Sequence, residues 1–70
     1  MKLSDFVACE TYPTYRHHLR EIGDTPIHLG GHVIKPLSLC RRQVAWDTQI
    51  PVAGFGECKT CALILEGKLD

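Results

Sequence analysis

GECKTCALILEGKLD, residues 56–70, decides how this chain is read. It sets Cys58 and Cys61 three positions apart and then runs apolar through residues 62–65. Two cysteines separated by two residues are the commonest unit of a structural zinc site. On a turn that enters a helix both sulfurs reach one ion, while the first helical amides stabilise their negative charge. The stretch therefore predicts a metal-bound CxxC that opens a helix over residues 58–66, stopped by Gly67, with residues 62–65 in the core.

The chain has 70 residues, enough for one domain spanning 1–70. A domain of this size buries only about 60% of the surface its unfolded chain exposes, so small scaffolds usually add disulfides, a metal or a partner subunit. Cys9, Cys40, Cys58 and Cys61 are the material for such a staple. Eight Lys and Arg balance eight Asp and Glu, and four histidines accompany them. That balance creates no long-range field toward nucleic acid or acidic lipid, so any such contact needs a local patch. No stretch approaches the ~20 apolar residues of a membrane span. The opening MKLSDFVACE, with Asp5 and Glu10, has too short an apolar run for a secretory signal. The expectation is a cytoplasmic protein, and in a reducing compartment cysteines more often hold metals or act as catalytic thiols than form disulfides.

Upstream, residues 1–24 read as a helical N-terminal segment. Ser4 caps a short helix through Glu10 that Pro13 ends. Thr14 caps a second, which places Tyr15, Leu19 and Ile22 on one face and stops at Gly23. Its other face would carry Arg16, His17 and Arg20, a local basic patch. The adjacent His17 and His18 would point about 100° apart on a helix and read as solvated surface histidines. From residue 25 onward the pattern changes to short apolar runs broken by Gly and Pro, the zinc-finger-like core of the chain. Residues 27–29, 37–40 and 43–46 read as strands, with GGHVIKP turning between the first two. The predicted class is α+β: a zinc-stabilised domain with an N-terminal helical segment, a short antiparallel hairpin or sheet, and a C-terminal helix that follows the CxxC.

A four-ligand site needs two more donors. Seventeen residues separate Cys40 from Cys58, the usual reach to a second ligand. Three residues compete for the fourth position. Across a hairpin centred near residue 34, His28 would lie almost opposite Cys40; His32 would lie in the turn, and Cys9 in the N-terminal segment. Disulfides, a thioredoxin-like redox pair at Cys58 and Cys61, and a four-cysteine iron–sulfur cluster that includes Cys9 are the competing uses of these thiols.

"HL", a hairpin, "LCRRQVAWDTQIP" and then "CKTC" together resemble the small zinc-finger family of actinobacteria and their phages, whose members share one His and three Cys with a Trp-Asp pair between the second and third ligands. The resemblance covers residues 27–66 and implies His28, Cys40, Cys58 and Cys61 as ligands of Zn2+. Where that family has Gly after its first Cys, this chain has Arg41, which must take glycine's left-handed conformation or build a different knuckle. The resemblance carries no activity with it.

Trp46 is expected as a core plug beside the metal, with Asp47 accepting backbone hydrogen bonds. No Ser-His-Asp order, paired-carboxylate motif or phosphate-binding glycine loop appears, and a site closed by four protein ligands leaves no open position for substrate. The functional expectation is therefore a module that is not an enzyme. Its first expected partner is a protein, in a regulatory or phage-related role. The alternative is nucleic acid, held through Arg16, Arg20, Arg41 and Arg42 with Tyr12 and Tyr15 nearby.

Overall fold

FVACET, residues Phe6–Thr11, forms the central strand β1 of the computed structural model. That model describes residues 1–23, 27–30, 32–34 and 36–70, and gives the backbone alone for Ile27–Leu29 and His32–Ile34. Alternating side chains of a strand face opposite ways, and here Ala8 and Cys9 are both fully buried, so both faces of β1 are covered. A 3-10 turn at Leu3–Asp5 precedes it, closed where the Lys2 amide donates to Asp5 Oδ2 at 2.7 Å.

After a turn at residues 12–15 the chain returns as β2, Arg16–Glu21, antiparallel to β1 from the pair Phe6/Glu21 to the pair Thr11/Arg16. The expected N-terminal helices are thus replaced by a β-hairpin. The helical stripe of Tyr15, Leu19 and Ile22 would have buried all three, yet only Leu19 is buried and the other two are about half exposed. A helix of eight or nine residues is marginal in water on its own. Pairing with β1 instead supplies ladder hydrogen bonds and a two-residue alternation that sends Leu19 to one face and His18 to the other.

Ile27–Leu29 (β3) and His32–Ile34 (β4) form a separate two-stranded antiparallel ladder in which His28 pairs with Val33. The strand expected at 37–40 is absent: a single bridge joins Leu37 to Gln43, and the chain turns between them. Val44–Asp47 (β5) then pairs with the other edge of β1 across an irregularity at Glu10 and Thr11, which gives a three-stranded sheet in the order β2-β1-β5.

The C-terminal helix α1, Lys59–Lys68, starts at the CxxC as expected, with Cys58 as its N-cap, and continues through Gly67. It lies against the sheet face that carries Phe6, Ala8 and Leu19, to which it adds Cys61 and Leu65. Ile50, Val52 and Phe55 from the preceding loop pack around this core. Of the apolar run at 62–65 only Leu65 is buried, and Leu63 is among the most exposed side chains. The class is α+β, as the sequence predicts. Among the described residues no helix is long and apolar enough to cross a membrane.

Candidate metal centre

The centre starts from one short loop. Around Cys40 the chain folds on itself: the Ser38 amide donates to the Arg42 carbonyl at 2.8 Å, the Arg41 amide to the Ser38 carbonyl at 2.9 Å, and the Val44 amide to the Pro36 carbonyl at 3.1 Å. The Arg42 amide donates to Ser38 Oγ at 3.0 Å, and that hydroxyl lies 3.2 Å from Cys40 Sγ. Closing so tight a loop requires Arg41 to take φ 69°, the left-handed region that favours glycine. Arg41 thus adopts the knuckle conformation despite its side chain.

The loop is pinned to the edge of β2. The Leu39 amide donates to the Leu19 carbonyl at 2.8 Å, which brings Cys40 beside the neighbouring residue, His18. His18 Nδ1 lies 3.1 Å from Cys40 Sγ and 3.6 Å from Cys61 Sγ. Cys58 is the N-cap of α1, and its sulfur accepts the Cys61 amide at 3.4 Å. That arrangement turns both CxxC thiols toward the same point from the first turn of the helix.

Together His18, Cys40, Cys58 and Cys61 offer four ligand atoms that all lie within 4.8 Å of one another. A tetrahedral ion with Zn–S near 2.3 Å and Zn–N near 2.05 Å separates its ligand atoms by roughly 3.5 to 3.8 Å. The cluster is already close to that spacing. Cys61 is fully buried, His18 nearly so, and Cys40 and Cys58 are half-buried within the core.

Electrostatics fit the same purpose. Burial depresses the His18 imidazole below its usual value, and the guanidinium groups of Arg42 and Arg16 add to this, so the ring is held neutral, the form that ligates a metal. Burial raises the Cys61 thiol. For Cys40 burial acts in the same direction, but hydrogen bonds from Ser38, Cys61, Cys58 and the Arg42 amide outweigh it and lower the thiol. Three sulfurs crowded into an apolar pocket gain their charged form most directly from a cation between them.

Of the predicted site residues, Cys40, Cys58 and Cys61 meet. The fourth member of the group is His18, one of the two histidines read as solvated surface residues. The side chains of His28 and His32 lie outside the described residues. The backbone opposite His28 is Val33, not Cys40, because the hairpin turns earlier than the sequence suggested. Cys9 lies directly opposite His18 on β1 and is fully buried, yet it is not part of the four-ligand group. Burial, followed by the Asp47 carboxylate, pushes its thiol up to about 11. All four cysteines are free.

Other expected roles also change. Arg20 does not join a basic helix face; its Nε and Nη2 hold Asp47 Oδ1 and Oδ2, both at 2.7 Å. Asp47 therefore accepts a guanidinium as well as lying at the strand end. Trp46 is not a core plug: it is half exposed, stacks on Tyr15 with ring centroids 5.2 Å apart, and donates Nε1–H to Glu10 Oε2 at 2.6 Å. Helix α1 packs on the sheet face that carries Phe6, Ala8 and Leu19, and among the described residues that cluster does not extend to Glu10.

No protein-family model matches the chain, and no curated protein or solved structure does so either. The geometry alone establishes a His/Cys3 group that could hold a metal ion.

Proposed function

We propose that the chain is a structural-zinc module that works by binding another macromolecule and has no catalytic role. The observation that carries this reading is the convergence of His18, Cys40, Cys58 and Cys61 from a strand, a tight loop and a helix start. Mixed thiolate and imidazole donors in a four-fold group suit zinc among the common divalent metals, and four protein ligands leave no position for a reacting water. The position of Cys9 outside the group favours zinc over a four-cysteine cluster. Three of these ligands are the cysteines that the actinobacterial and phage zinc-finger resemblance carries over, which supports the same metal.

Zinc would dominate the stability. Structural zinc contributes on the order of 10 to 16 kcal/mol of apparent binding energy, against roughly 5 to 15 kcal/mol of net stability for a typical domain. Chelation is expected to unfold the chain. The test is native and denaturing intact mass together with elemental analysis. One zinc per chain, lost on denaturation to leave four free thiols, is the expected result. A protein without metal, lighter by two or four hydrogens, would overturn the proposal.

A further inference from the structure

Among the described residues the exposed aromatic side chains gather at one end of the sheet. Tyr15 and Trp46 are 45% and 51% exposed, and their rings stack at an interplanar angle of 11°. Tyr12 meets Tyr15 edge-on with centroids 5.6 Å apart. Burial does not explain the stack, and two constraints hold it in place. Trp46 is fixed through its indole N–H to Glu10, and Tyr15 adopts φ 55°, a left-handed conformation that a residue with a bulky side chain rarely takes. Tyr15 closes the turn at residues 12–15, its amide donating to the Thr11 carbonyl at 2.7 Å, and the same conformation presents its ring.

The charges around this end are unevenly committed. Each nearby carboxylate already has a partner: Glu10 takes the Trp46 indole, Glu57 pairs with His17, and Asp47 takes Arg20. Arg16, Arg41 and Arg42 are exposed, and among the described residues no carboxylate pairs with them. Arg16 and Arg42 belong to the same end of the fold, whereas Arg41 lines a cavity with Glu21, Gly23 and Lys68 at the other end of β2. Arg16 follows Tyr15, and the Tyr12 amide donates to the carbonyl of Gln43, the residue after Arg42, at 3.0 Å. The surface thus combines a flat aromatic stack with two guanidinium groups that no carboxylate pairs among the described residues.

We infer that this end of the sheet binds single-stranded nucleic acid, with bases stacking on the Tyr15–Trp46 pair and phosphates held by Arg16 and Arg42. One polymer offers planar rings and anions in every repeat, which an acidic peptide does not, and base stacking on aromatic faces needs no sequence readout. The inference names the partner of the zinc module proposed above, and it rests on that reading because Arg42 is positioned by the Cys40 loop.

The test uses the zinc-loaded chain, its zinc content measured on the same sample, titrated with fluorescein-labelled oligothymidylate and oligouridylate 12-mers. Anisotropy follows binding, and the fluorescence of Trp46, the sole tryptophan, reports stacking directly. Expected are quenching of Trp46 and an affinity that falls roughly 7-fold between 50 and 200 mM salt, the slope for two phosphate contacts. Trp46→Leu is expected to weaken binding at least fivefold, and Arg16→Ser with Arg42→Ser to flatten the salt dependence, each with one zinc retained. No binding by a chain that carries one zinc would overturn the inference and leave the zinc module standing. Binding that is indifferent to Trp46→Leu, or equal displacement by polyglutamate of matched charge, would overturn it in favour of a simple anion or acidic-protein surface. A chain without zinc would remove the reading beneath it.

Discussion

Replacing Arg41 with glycine should stabilise the protein and tighten its hold on metal. Arg41 is held at φ 69° beside a ligand. A side chain in the left-handed region costs roughly 1 to 2 kcal/mol, while glycine gives back about 0.4 to 1 kcal/mol through its greater freedom in the unfolded chain. The net gain is about 0.5 to 1 kcal/mol, or roughly 2 to 8 °C in Tm for a domain of this size. On the proposed zinc reading metal binding closes the Cys40 loop, so the same energy should appear as an apparent zinc affinity about two- to fivefold tighter. The assay is competition against a chromophoric chelator, with thermal melts at matched free zinc. Arg41→Ala separates the causes, because alanine lacks the guanidinium but keeps the strained conformation, and it should behave like the parent. If Arg41→Gly proves no more stable and no tighter than Arg41→Ala, the loop is not strained at this position and the reasoning fails.

Two further expectations follow from the site and its surroundings. His18→Ala should reduce zinc affinity by at least tenfold and shift the visible spectrum of the cobalt-substituted protein, whereas His28→Ala should leave both unchanged; the reverse pattern would return the fourth ligand to the position first expected. Asp47→Asn should cost about 0.5 to 1 kcal/mol in urea unfolding, a figure kept small because Asp47 is 44% exposed and its pairing with Arg20 is screened. The side-chain hydrogen bond from Arg20 holds the Asp47 carboxyl below its ordinary 3.8. The contribution is therefore complete above that value and disappears as pH falls through the lowered one, where parent and variant should converge.

How far the sequence could be read depended on how local each feature is. The CxxC encodes its own geometry: Cys58 caps the helix that Cys61 enters, so both ligands follow from four consecutive residues. Cys40 was legible from spacing, although the strand proposed around it is a turn closed by Ser38. His18 was hidden by a wrong period. In RHHLRE the apolar residues fit a helical stripe as well as a strand, and a helix makes two adjacent histidines look like surface residues. A strand puts them on opposite faces, so His17 meets Glu57 and His18 lies beside Cys40. The available signal was FVACET, whose Phe6, Val7 and Thr11 favour a strand; if that is β1, the segment beyond the Tyr-Pro turn becomes its partner.

Trp46 misled for a related reason. Its position beside a predicted metal suggested burial, but a sheet face is covered only as far as the element packed on it extends. Helix α1 has ten residues, and its buried contacts are Cys61 and Leu65. Cys61 shares one cluster with Phe6, Ala8, Leu19 and Leu65, so the metal thiols and the apolar core are the same layer. Among the described residues no second layer lies over Trp46. The four-residue group that brings the helix onto one end of the sheet leaves Trp46 half exposed at the other, so the surface proposed above follows from where that group lies.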